Sequence, residues 1–232
     1  MSKDKILEIH RIISKNYKDL NWWPVDSKYH KKNQTDPRFE IIVGAILTQN
    51  TAWSNVEKAL VNLKEKNKLD IKNIAKSDEK ELREMIKPSG FFNQKADRLK
   101  TISNHFLERY GGNLDNFFKR NLKEIREELL SLNGIGPETA DSILLYAGEK
   151  PVFVVDAYTK RLCQRIPIKV ELDYDNIQKH FQEELSKQYI GKELVQTYNE
   201  FHAQIVLLAK EYCKKKPNCN DCPISKNCNE LF

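Results

Sequence analysis

The segment Leu132-Asn133-Gly134-Ile135-Gly136-Pro137-Glu138-Thr139-Ala140 constrains this chain more than any other stretch of its 232 residues. It sets two glycines around one apolar residue, between two runs with helical apolar spacing. Glycine permits positive φ and lets another backbone come close. Pro137 suits the first turn of a new helix, where its missing N–H is not needed. Such a hairpin turns its amides outward at the positive end of the following helix, where a phosphate fits without reference to base sequence. Leu132 and Ile135 would pin the two helices. A plain turn between packed helices would use the same residues, and the hairpin alone does not separate the two readings.

Asp156 follows Glu138 by 18 residues, after the short extended apolar run Pro151 to Val155. It precedes Ala157-Tyr158-Thr159-Lys160-Arg161-Leu162, which reads as a helix. Aspartate is a favoured N-cap, so capping alone would explain it. One helix beyond a candidate phosphate clamp, it is also placed to serve as a single functional carboxylate.

The run Cys213-x5-Cys219-x2-Cys222-x5-Cys228 packs four of the five cysteines into sixteen residues. Four thiolates there can bind either a [4Fe–4S] cluster or a structural zinc. Zinc sites usually pair cysteines as two C-x2-C knuckles, and this run has one, in its middle. Cys163 reads as a small buried residue. Three further side chains, Trp22, Trp23 and Trp53, are candidates to stack on a flat ligand or to fill the core; Asn21-Trp22-Trp23-Pro24 sets two of them beside a rigid turn.

The rest of the chain reads as helix. Ile6, Leu7, Ile9, Ile12 and Ile13 form a stripe at helical spacing, and Phe39 to Leu47 is apolar on most faces, as in a buried helix. Asp78 with Glu81 opens a short helix that ends before Lys87-Pro88. Thr139 to Ala147 reads as a helix closed by Gly148, and Val195 to Cys213 as a long final helix. The polar, lysine-rich segment Tyr29 to Pro37 is expected to be a crossing loop. No alternating strand pair and no repeat is present. Lys plus Arg number 39 against 33 acids, a net charge of +6, which suits a polyanionic partner without proving one. The N-terminus lacks an apolar signal region, and the longest apolar run is too short for a bilayer. A soluble, cytoplasmic protein with no membrane partner is expected.

Taken together, the hairpin, Asp156 at its spacing, Gly44-Ala45-Ile46-Leu47-Thr48-Gln49-Asn50-Thr51 and the cysteine run resemble the helix-hairpin-helix DNA glycosylases of the endonuclease III type, over nearly the whole chain. The Trp-Trp-Pro run, Pro88-Ser89-Gly90-Phe91-Phe92-Asn93-Gln94-Lys95-Ala96 and Phe201-His202 look most like the endonuclease III-related 3-methyladenine DNA glycosylases. The resemblance implies an all-α fold of two helical domains. Residues 36–150 would form a six-helix domain with the hairpin. Residues 1–35 and 151–232 would form a discontinuous one with a C-terminal [4Fe–4S] loop, and the cleft between them would hold Asp156.

By that resemblance Asp156 is the catalytic carboxylate, and Trp22 and Trp53 sandwich an extruded base. Trp23 and Pro24 line the wall, and Glu138 faces the pocket. Gln49 fills the gap left in the duplex, and Asn50, Leu132, Gly134, Ile135, Gly136 and Thr139 complete the DNA-binding set. Cys213, Cys219, Cys222 and Cys228 ligate the cluster, whose spacing favours iron–sulfur over zinc, and Lys214, Lys215, Lys216 and Lys226 face the DNA backbone. The activity implied is release of alkylated purines such as 3-methyladenine from damaged double-stranded DNA, by a monomer without strand cleavage. An oxidised-pyrimidine glycosylase with lyase activity, an adenine-mismatch glycosylase and a non-catalytic iron–sulfur DNA-binding protein remain as alternatives. One departure is Gln204, where a described member has a lysine.

Overall fold

The computed structural model describes residues 5–18, 20 and 22–229. Among these there are helices and no strands. In chain order the α-helices are α1 (Lys5–Asn16), α2 (Ser27–Asn33), α3 (Pro37–Leu47), α4 (Trp53–Glu65), α5 (Ile71–Lys76), α6 (Glu79–Ile86), α7 (Phe92–Tyr110), α8 (Leu114–Phe118), α9 (Leu122–Leu130), α10 (Pro137–Ser142), α11 (Ala157–Arg165), α12 (Tyr174–Ser186) and α13 (Gly191–Glu211). No helix among the described residues is long and apolar enough to cross a membrane. The helices divide into two compact units, Trp23–Gly148 and the residues before Trp23 together with those from Glu149 onward.

The core of the Trp23–Gly148 unit is α3. Asp36 caps it by accepting from Arg38 N–H, Pro37 fills its first turn, and every residue from Phe39 to Leu47 is buried. Helices α4, α7 and α10 pack around it. The polar segment expected to be a crossing loop is instead half helix. Asp26 caps α2 by accepting from Tyr29 N–H, and Gln34 ends it in the left-handed region at φ 54°. The helix keeps Lys28, Lys31 and Lys32 in solvent and buries only His30, so seven residues carry too little apolar signal to announce it.

The helix after the hairpin begins two residues earlier than its apolar spacing suggests, at Pro137. It widens into a π-turn over Ile143–Ala147, all five residues buried. Gly148 N–H donates to Ile143 O, which closes the wide turn. A glycine is needed there because a Cβ would lie 2.6 Å from the Phe118 ring.

In the other unit α1 lays Ile6, Ile9 and Ile13 against α12 and α13. Phe153, Phe181, Tyr198 and Phe201 form one aromatic cluster, with Phe153 and Phe181 stacked at 4.6 Å. The extended run Val152–Val155 is buried and leads directly into α11.

Candidate functional site

The hairpin belongs to the Trp23–Gly148 unit. Gly134 takes φ +81°, Ile135 is buried and its N–H donates to Leu132 O at 3.1 Å, and Gly136 is the extended residue before α10. Gln49 reaches this turn from the end of α3. Its Nε2 donates to Gly134 O at 3.1 Å and to Thr139 Oγ1 at 2.8 Å, while its Oε1 accepts from Arg98 Nη1. Asn50, next in sequence, is exposed in the left-handed region at φ 54°. Arg126 grips the buried Asp141 through both carboxylate oxygens, at 2.7 and 3.0 Å, and so ties α9 to α10 behind the turn. Glu138 is exposed in the first turn of α10. Phe91 is also exposed, at 61%, and sits at φ 45° where a bulky residue is strained. Behind it the buried Lys95 Nζ donates to Leu47 O at 2.8 Å and Ser89 O at 2.6 Å. Burial, and then the charge of Arg98, draw its ammonium down to about 8.

The same unit gathers the aromatics Trp23, Trp53 and Tyr146. Trp23 meets Trp53 edge to face at 5.2 Å and Tyr146 at 5.3 Å. Its indole lies on the backbone of Gly44. Four residues earlier on α3, the buried Glu40 holds the chain that follows Pro24. Its Oε2 accepts from Asp26 N–H at 2.8 Å and contacts His30 Nε2 at 2.9 Å; its Oε1 accepts from Lys64 Nζ at 3.1 Å. Trp22 lies in the other unit and, like Pro24 and Trp53, is half-buried.

Asp156 also lies in that other unit, where it caps α11. Its Oδ1 accepts from Thr159 N–H at 2.7 Å and from the Thr159 hydroxyl at 2.9 Å. Its Oδ2 stands 3.7 Å from His202 Nε2, too long for a hydrogen bond but close enough for charge to be felt. Burial opposes ionisation of this carboxyl, yet His202 and the two Thr159 donors outweigh it and hold the group below its ordinary range. The buried Asp156 is therefore a carboxylate at neutral pH, with one oxygen fixed and the other not committed to a hydrogen bond. Gln204, one turn-half along α13 from His202, donates to Tyr17 O at 3.0 Å and accepts from Ser14 Oγ at 3.4 Å, so here it bonds α13 to α1 and the residue after it.

Cys213 is buried, and Cys219, Cys222 and Cys228 are half-buried. Arg165 Nη1 donates to Cys213 Sγ at 2.9 Å and Arg161 Nε to Cys213 O at 2.7 Å, tying the loop to α11. Burial pushes the Cys228 thiol up to about 11, helped by Cys222, Cys213 and Cys219. No three His, Cys, Asp or Glu side chains among the described residues converge on a point that would hold a single metal ion. That donor set is all thiolate. All-thiolate donors of this kind fit a [4Fe–4S] cluster and a structural zinc alike. Cys163 is buried apart from the loop sequence, and burial pushes its thiol up to about 12.

Arg98, Glu40 and Tyr146 carry no spacing signal that would mark them in a single sequence, and Phe91 is flagged only within the run from Pro88 to Ala96. His202 is flagged only by the Phe201-His202 pair.

The HhH-GPD superfamily of base excision DNA repair proteins matches residues 43–187. A Methanocaldococcus jannaschii protein assigned as a DNA repair glycosylase is 43% identical over 228 residues, covering 97% of this chain and 96% of the relative. Endonuclease III of Thermotoga maritima is 29% identical over 197 residues, 84% of each chain. Among solved structures, the Helicobacter pylori 3-methyladenine DNA glycosylase bound to 1,N6-ethenoadenine aligns with a TM-score of 0.68 and 33% identity, over 90% of this chain and 98% of that one. A non-covalent endonuclease III–DNA complex aligns with a TM-score of 0.72 at 21% identity, over 99% and 96%, and speaks for the fold. The chain belongs to the HhH-GPD superfamily of base excision DNA repair proteins. Within it the chain is a DNA N-glycosylase.

Proposed function

We propose that this glycosylase releases alkylated purines such as 3-methyladenine from double-stranded DNA and leaves the strand intact. The observation that carries the reading is the buried carboxylate of Asp156. Asp156 is ionised, buried and held by Thr159. Breaking the bond between the sugar C1′ and the base nitrogen sends its electron pair to the base, neutralising a cationic purine. Positive charge grows on the sugar, and a fixed carboxylate stabilises it there. Water then adds to C1′ and its proton passes to the free oxygen of Asp156.

Glu138 bears on the second half of the reading. By the resemblance, strand-cutting relatives carry a lysine at this hairpin position, whose amine forms a Schiff base with the sugar. A carboxylate forms no such bond. Trp22 and Trp53 would stack on the extruded base, with Trp23 and Pro24 as the wall; aromatic faces favour a base that carries positive charge. The likeness to the Helicobacter pylori 3-methyladenine enzyme supports this substrate class.

On the DNA side, Gln49, Asn50, Leu132, Gly134, Ile135, Gly136 and Thr139 would meet the duplex, Gln49 filling the place of the extruded nucleotide. Cys213, Cys219, Cys222 and Cys228 would hold a [4Fe–4S] cluster. Bound there, it would supply a rigid frame for the loop that carries Lys214, Lys215, Lys216 and Lys226. The protein would act as a monomer. The test is incubation with alkylated, oxidised and mismatched duplexes, scoring base release and strand cleavage separately. Release of 3-methyladenine without cleavage is the expected result. Release of oxidised pyrimidines coupled to cleavage would replace this reading with the endonuclease III-type one. Binding with no release of any base would reduce Asp156 to a helix cap.

A further inference from the structure

The Trp23–Gly148 unit holds six arginines, and five of them pair with carboxylates: Arg38 with Asp36, Arg83 with Glu79, Arg109 and Arg120 with Glu128, and Arg126 with Asp141. Arg98 is the sixth. Among the described residues no carboxylate forms an ion pair with it, and its hydrogen-bond partner is the neutral amide oxygen of Gln49. We infer that Arg98 is a direct ligand for a DNA backbone phosphate at the hairpin, kept in place in the free protein by Gln49. The inference rests on the reading above that the hairpin and Gln49 lie on DNA.

The geometry of position 134 supports it. A Cβ there would lie 2.2 Å from Arg98 Nε, 2.7 Å from Cδ and 2.8 Å from Cγ. Arg98 therefore runs directly across the first glycine of the hairpin. Gly134 answers two demands at once, a positive φ and the passage of this side chain. Gln49 lies between the two, donating to Gly134 O and Thr139 Oγ1 while accepting from Arg98. If Gln49 leaves to enter the duplex, the guanidinium loses its acceptor. A phosphate oxygen replaces it and adds the opposite charge that the neutral amide lacked. Guanidinium and phosphate match in planar, bidentate fashion. Such a contact positions the protein without reading sequence.

The test is the salt dependence of binding to a duplex containing an abasic-site analogue, for the wild type, Arg98→Gln, Arg98→Lys and Gln49→Ala. Each phosphate neutralised contributes about 0.9 to the slope of log K against log salt. Arg98→Gln is expected to bind more weakly and to lose about 0.9 of that slope. Arg98→Lys should keep the slope because the charge remains, and Gln49→Ala should bind more weakly, having lost the side chain that enters the duplex, yet keep the slope because no charge is lost. Arg98→Gln with the wild-type slope, even at reduced affinity, would overturn the inference and leave Arg98 as a prop for Gln49. A wild type that binds DNA with no salt dependence would instead remove the hairpin reading, and this inference with it.

Discussion

Gly44 and Trp23 are in direct contact: a Cβ on Gly44 would lie 2.8 Å from Trp23 Nε1 and within 3.2 Å of two ring carbons. This glycine is set in the middle of a helix, where alanine would be favoured by about 0.5–1 kcal/mol on backbone grounds alone. Its place is explained by the indole that rests on it. Gly44→Ala should displace Trp23 from the edge of Trp53. The overpacking, about 1–3 kcal/mol, is partly offset by helix propensity. Thermal unfolding should therefore move little while single-turnover release of 3-methyladenine slows. Wild-type release together with a changed tryptophan fluorescence would show that this ring does not border the base.

Glu40 holds the same segment from one turn away on α3. Burial opposes its ionisation, but His30, the Asp26 N–H and Lys64 keep its carboxyl below the usual 4.5. A folded value below the unfolded one gives stability that is present above pH 4.5 and is lost as pH falls through the folded value. Glu40→Ala should cost about 3–5 kcal/mol, since it strands buried partners, and should flatten the acid limb of stability against pH. Denaturant unfolding from pH 3 to pH 7, taken as rough limits, would reveal it; an acid limb like that of the wild type would place the acid sensitivity in other carboxylates.

Asp156→Asn removes charge without removing the cap, because asparagine caps a helix as well as aspartate does. Base release should be abolished while folding and binding to an abasic-site analogue persist. In the wild type the lowered carboxyl value means that loss of release with acid should begin only below the ordinary carboxylate range. Near-normal turnover by the variant would leave Asp156 with capping alone.

Glu138 gives a sharp chemical expectation. Borohydride should trap no covalent protein–DNA adduct, and strands should break only after alkali. Trapping at a rate equal to base release would require an amine nucleophile and would favour the lyase alternative.

The cysteine loop is tested by colour and metal content. Protein purified without oxygen should be brown and contain iron and sulfide. Cys219→Ala or Cys222→Ala should bleach it and weaken DNA binding. Stoichiometric zinc in a colourless protein would overturn the iron–sulfur assignment.

Sequence alone determined what depends on neighbours along the chain. Helical apolar spacing marks α1 and α3, Asp78 and Asp156 announce the caps of α6 and α11, and Gly134, Gly136 and Pro137 announce the turn before α10. Each is a short-range effect, set within about one helical turn by the backbone groups a helix end leaves unpaired. Tertiary structure decided the rest. Gln49 meets Arg98 across 49 residues, Gly134 across 85 and Thr139 across 90. Glu40 meets Lys64 across 24. His202 comes to Asp156 from another helix. No periodicity encodes such meetings, because they depend on which helix faces pack together. The same packing turned a lysine-rich segment into α2 by giving His30 a buried partner in Glu40. It also left Arg98 as the one arginine of its unit whose charge no carboxylate among the described residues balances.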